Sequence, residues 1–182
     1  GTPTPEKQYT FRASPQYATL LKDMGADLVA LAKGSISGNG TENGITYYEG
    51  EGVCHKVMME KHVRPGELIF GADSHTCAYG ALGAFGTGVG CTDYLYAMVT
   101  GTSWLLVPET IRFNLTGRLP EGVYARDLIL TIIGRIGANG ANYKAMEFAG
   151  DGLKTLTMAD RISICNLCVE AGAKTALMEA DE

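Results

Sequence analysis

Residues Gly71–Thr92 read GADSHTCAYGALGAFGTGVGCT, and the rest of the chain is best understood outward from them. The apolar run Leu68-Ile69-Phe70 stops at Gly71, and Asp73, Ser74 and His75 follow at once. All three side chains can move a proton or grip a carboxylate. Six glycines punctuate the stretch: Gly71, Gly80, Gly83, Gly86, Gly88 and Gly90. A buried strand over 67–71 that ends in a polar corner, backed by chain without bulk, is the pattern of an active-site edge. Glycine lets backbone N–H groups approach an anionic ligand, and it equally allows tight helix packing, so composition leaves both uses open. Two nucleotide loops are excluded. The DSHT turn separates strand from glycines, unlike the dinucleotide fingerprint, and no GK[ST] follows as in a P-loop.

Outward from the corner, the pattern alternates between helices and strands. Residues 53–62 predict a helix, closed by Arg64-Pro65-Gly66. Further upstream, 15–33 has helical spacing, 34–44 is a loop by composition, and 45–48 is a short strand candidate. Downstream, 93–100 reads as a helix. TIRFNLT over 110–116 alternates as a strand does. An amphipathic helix over 124–136 carries Leu128, Ile129, Ile132, Ile133 and Ile136. A strand over 144–148, a helix over 159–171 and a strand over 174–178 complete the chain. Such alternation points to an α/β fold. Residues 1–182 read as one α/β region, with 117–121 as the candidate sub-boundary.

Composition limits the function classes. A formal charge of -5 does not suit general nucleic-acid binding. No apolar run approaches the roughly 20 residues that cross a bilayer. The chain begins at Gly1 and ends on Asp181-Glu182, which reads as a piece of a longer protein. Five cysteines, an odd number, fit a reducing cytoplasm better than a disulfide framework. Cys165 and Cys168 have CxxC spacing, but without a second pair and in an apolar segment they read as small buried hydrophobes.

The segment Met158–Ala171 is the second informative feature. Asn166 and Glu170 stand four apart, on one helical face, among Ile162, Ile164, Cys165, Leu167, Cys168 and Val169. A helix apolar nearly all round is usually buried. A buried Glu170 would find a partner or hold a proton near neutrality, whereas a Glu170 near the helix end would simply reach water. Of the histidines, His62 sits beside charged neighbours and reads as surface. His55, among Val53, Cys54 and Val57, reads on its own as a packed core residue. HKVMMEKH is not the HExxH zinc pattern.

Taken together, GADSHTCAYGALGAFGTGVG and ISICNLCVEAGAK resemble the aconitase superfamily. Within it they are most similar to the large-subunit type of 3-isopropylmalate dehydratase and homoaconitase. GEGVCHKVMMEKHVRPGELIFGADSHT, PETIRFNLTGRLPEGVYARDLIL and GANYKAMEFAGDGL follow that pattern in order, over 49–182. The resemblance implies a partial three-layer α/β fold with mixed sheet. It implies dehydration and rehydration of a hydroxy di- or tricarboxylic acid. Hydroxide leaves poorly, and the proton beside a carboxylate is weakly acidic, so a Lewis acid, a base and a proton donor must act together. The family's Lewis acid is a [4Fe–4S] cluster.

By the same resemblance, Asp73, His75, His55 and Glu170 are catalytic, and Ser74 and Asn166 contact substrate. His75 would hydrogen-bond the hydroxyl or water at the iron, and Asp73 would pair with His55. Asn166 would lie near the cluster, with Glu170 beside the water. The three cluster cysteines of the family lie in segments downstream of this pattern, so Cys165 and Cys168 are not assigned as ligands, and no metal ligand is assigned to this chain. An upstream Asp–His pair and a small-subunit partner would complete the site, and the chain alone is expected to be inactive. Two other classes stay open. One is a divalent-metal hydrolase using Asp73, His75, His55 and Glu170 as ligands. The other is a non-catalytic interaction domain.

Overall fold

The computed structural model describes residues 51–100 and 102–180. The readings over 15–33, 34–44 and 45–48 lie outside the described residues. The chain divides into two compact units, Gly1–Gly52 and Val53–Glu182, and every element below belongs to the second.

Helix α1 (Cys54–Lys61) precedes strand β1 (Leu68–Gly71), and β2 (Phe85–Gly88) runs parallel to β1. The register pairs Leu68 with Phe85 and Gly71 with Gly88. Parallel neighbours need a crossover. In this pair it is a 3-10 helix, Ser74–Leu82, whose residues Thr76 to Ala81 are all buried. That helix packs against β2, against the later strand β5 (Thr175–Met178) and against helix α4 (Met158–Leu167), and is the hub of the unit. Its approach to β5 is backbone on backbone. A Cβ on Gly80 would stand 1.8 Å from the Ala176 carbonyl oxygen, so only glycine fits.

Helix α2 (Cys91–Thr100) leads to a second sheet, of order β3-β4-β5, with β3 at Thr110–Asn114, β4 at Ala145–Ala149 and β5 at Thr175–Met178. Helix α3 (Ala125–Ile136) connects β3 to β4, and α4 (Met158–Leu167) connects β4 to β5. Both pairings are parallel, as helical crossovers require. The fold is therefore α/β. Its described strands pair only in parallel, where the resemblance implies a mixed sheet. Edge strand β3 alternates between exposed and half-buried residues, and central β4 is buried at four of its five positions. Phe148, Met146, Ile129 and Ile164 are fully buried between this sheet and α3 and α4. Each contributes roughly 1.5–3 kcal/mol by leaving water.

Helix α4 starts on a capping box. Thr157 Oγ1 accepts from the Asp160 amide at 3.2 Å, and the Asp160 carboxylate accepts from the Thr157 amide at 3.0 Å. The two sheets are tied together by side chains from β5 and the residue before it. Thr175 Oγ1 donates to the Gly86 carbonyl at 2.7 Å, and Lys174 Nζ donates to that of Gly88 at 2.8 Å.

Three expectations change. Strand β1 is half-buried, not buried, with Leu68 58% exposed, because among the described residues it pairs on one edge only. Strand β2 lies inside the glycine-rich stretch, which carried no strand signal. The helix over 159–171 is α-helical only to Leu167 and tightens into a 3-10 turn over Cys168–Ala171.

Candidate active site at the end of strand β1

Asp73 is where strand hands over to helix. It caps the 3-10 helix, its Oδ1 accepting the His75 amide at 2.7 Å, while its carbonyl accepts from Thr76 Oγ1 at 2.6 Å. The same Oδ1 meets His55 Nε2, from α1, at 2.9 Å and lies 3.4 Å from His75 Nδ1. Ser74 Oγ stands 3.3 Å from His75 Nδ1. Four of the six residues expected at the site, Asp73, Ser74, His75 and His55, thus share one cluster of contacts. Gly88 sits directly behind it, where a Cβ would come within 2.8 Å of the Asp73 carbonyl oxygen.

Partial burial is the largest single influence on the Asp73 carboxyl, and it opposes ionisation. The His75 amide, the His55 hydrogen bond and the pull of both histidines outweigh it and hold the group below its ordinary value. Asp73 is thus an acceptor-only carboxylate at neutral pH.

The segment carrying Asn166 and Glu170 packs on the same 3-10 helix. The Cys77 thiol donates to the Cys165 carbonyl at 3.2 Å and reaches that of Asn166 at 3.8 Å. Asn166 is half-buried. Glu170 is exposed, which selects the second of its two readings, an acid near the helix end that reaches water. The change of winding after Leu167 carries Glu170 to the surface on the last 3-10 turn. Among the described residues no hydrogen bond or ion pair joins His75 to Glu170. A cleft of about 580 Å³ opens beside both segments, with Ser74 on one wall and Val169 on another. Lys174, Asn142 and Asp93 supply polar groups to its lining.

The three buried cysteines do not suit an iron–sulfur cluster. Cys77, Cys165 and Cys168 are fully buried, and the Cys77 and Cys168 thiols donate to backbone carbonyls. Burial pushes Cys77 up to about 12 and raises Cys165 and Cys168 well above the ordinary thiol value. A cluster ligand must be a thiolate, and these are neutral thiols. Among the described residues no three His, Cys, Asp or Glu side chains are arranged to hold a metal ion.

Two polar contributors were not singled out from the sequence. Tyr79 OH lies 3.0 Å from His55 Nδ1, and Lys174 lines the cleft with its Nζ 5.6 Å from the Tyr143 ring centre. Tyr79 did leave a signal, as the single tyrosine in the glycine-rich stretch.

Comparison with known proteins identifies the family. Residues 31–182 match the Aconitase family (aconitate hydratase). The chain is 59% identical over 139 residues to a 3-isopropylmalate dehydratase large subunit of Syntrophus aciditrophicus, covering 75% of this chain and 33% of that protein. It is 52% identical over 144 residues to 3-isopropylmalate dehydratase large subunit 1 of Methanopyrus kandleri, covering 78% and 34%. The chain thus spans about a third of the length of the curated relatives it matches. With the family pattern matched across most of its length, this chain belongs to the aconitase family.

Proposed function

We propose that this chain is part of the large subunit of a hydro-lyase of the 3-isopropylmalate dehydratase or homoaconitase class. Its substrate is a hydroxy di- or tricarboxylic acid. The reaction removes a proton beside a carboxylate and a hydroxide from the neighbouring carbon. Water is lost, and it returns with the two positions exchanged, so no oxidant or reductant is needed. The observation that carries this reading is the Asp73 carboxylate, contacted by His55 at 2.9 Å and by the His75 amide at 2.7 Å at the end of β1.

In this reading Asp73 and His55 hold the corner, and His75 holds or moves the proton at the departing and returning hydroxyl. Ser74 Oγ grips a substrate carboxylate from the cleft wall. Asn166 offers an amide, and the exposed Glu170 offers its carboxyl group beside the water. Its exposure suits a group that faces substrate and solvent. A [4Fe–4S] cluster is implied for the complete enzyme, with ligands outside the described residues. A small subunit would close the site and select the substrate side chain. The five free cysteines and the family's place in leucine or lysine biosynthesis favour the cytoplasm. No helix among the described residues is long and apolar enough to cross a membrane.

The test is made in the longer protein that carries this segment, reconstituted with iron, sulfide and its small subunit. Hydration of isopropylmaleate or homoaconitate is followed by loss of ultraviolet absorbance. His75→Ala should lower kcat by about 10²–10⁴-fold, the range for a lost proton-transfer group. Undiminished turnover in that variant would sink the reading.

A further inference from the structure

We infer that Tyr79 is a positioning residue for the Asp73–His55 pair. Its hydroxyl donates to His55 Nδ1 and holds the imidazole in the neutral tautomer that donates from Nε2 to Asp73. The inference rests on the proposed reading of Asp73 and His55 as part of the site.

Three observations carry it. Asp73 Oδ1 lies 2.9 Å from His55 Nε2, and a carboxylate only accepts, so Nε2 bears the hydrogen. The other nitrogen, Nδ1, lies 3.0 Å from Tyr79 OH, and in a neutral imidazole it must accept. Tyr79 is 3% exposed, and a buried phenol needs a partner for its hydrogen. Were His55 to donate from both nitrogens, the Tyr79 hydrogen would have no acceptor among the described residues, which is costly for a buried donor. The ring is also braced from the side, meeting His55 edge-on at 66° with centroids 5.6 Å apart. Burial first, then the neighbouring Cys54, Asp73 and Tyr94, push the Tyr79 phenol well above its ordinary value, so it remains an O–H donor.

The 3-10 winding explains how one element grips both nitrogens. At about 3.0 residues per turn, positions six apart lie on the same face. Asp73, the cap, and Tyr79, two turns on, therefore face His55 together. An α-helix would leave position 79 roughly 120° away from the cap's face. The crossover thus places an acceptor and a donor on either side of an imidazole contributed by α1.

The test uses the full 182-residue chain with ¹⁵N-labelled histidine and long-range proton–nitrogen correlation spectra. His62→Gln and His75→Gln assign the His55 signals. The expected wild-type spectrum has a proton-bearing Nε2 and a bare, hydrogen-bonded Nδ1. Tyr79→Phe keeps the ring and removes only the hydroxyl, so a tyrosine that merely packs would leave Nδ1 unmoved. The relay expects the Nδ1 resonance to move toward that of an unbonded acceptor nitrogen while Nε2 keeps its hydrogen. A wild-type spectrum with the hydrogen on Nδ1, or an Nδ1 signal unchanged in Tyr79→Phe, overturns it. The wild-type spectrum decides the tautomer even if the variant fails to fold. Because the readout is a resonance and not turnover, the relay and the hydro-lyase reading fail by different measurements.

Discussion

At the scale of single residues, Asp73 combines two tasks that pull the same way. Capping the 3-10 helix and pairing with His55 both favour its charged form, against the opposing effect of partial burial. Its folded-state pKa is therefore below the unfolded value of about 3.9. The stabilisation is complete above that value and drains away as pH falls through the lower folded one. Urea midpoints of wild type and Asp73→Asn should accordingly differ at pH 7 and converge below about pH 3. The gap should stay under about 1 kcal/mol, since the side chain is 55% exposed and well screened. Equal gaps at both pH values would contradict the assignment. Asp73, Ser74 and His75 were legible in the sequence because an apolar run broke on them. His55 was not, since its neighbours read as core, and only the resemblance pointed to its pairing with Asp73. Glu170 shows the limit of periodic reading: a spacing of four implies one face only while the winding stays α-helical.

Among the elements, the 3-10 helix carries most of the consequences. Gly80 touches β5 through bare backbone, so Gly80→Ala forces one of them to move. A loss of about 3 kcal/mol in chemical denaturation is expected, the upper end for overpacking. A midpoint unchanged from wild type would mean that β5 yields freely. Helix α4 offers a milder case. Thr157→Ala removes the side-chain acceptor from its capping box and should cost about 1 kcal/mol, read as a lower thermal midpoint. Strands β3, β4 and β5 and helix α3 were legible, because alternation and helical spacing are local signals. Strand β2 was not. Two of its four residues, Gly86 and Gly88, have no strand preference, and the strand exists through its ladder with β1 and the Thr175 hydroxyl.

For the molecule as a whole, the chain covers about a third of its relatives, so its chemistry is argued as that of a part. The isolated 182-residue chain is expected to show no hydration of isopropylmaleate, and turnover by it alone would refute the division of labour. Thiol accessibility gives an independent check on the fold. Cys54 and Cys91 are exposed, while Cys77, Cys165 and Cys168 are buried. Mass spectrometry after brief iodoacetamide treatment should find label on the first two, and on all five cysteines only in denaturant.

The bonds from Thr175 and Lys174 to the carbonyls of Gly86 and Gly88 span the gap between the two ladders. They make the Asp73 corner a dependent of the second sheet. Fraying of β5 would unmoor the floor on which Asp73 rests, well before β1 itself came apart. Amide deuteration along 86–88 should therefore keep pace with that along 175–178, as in a single cooperative opening.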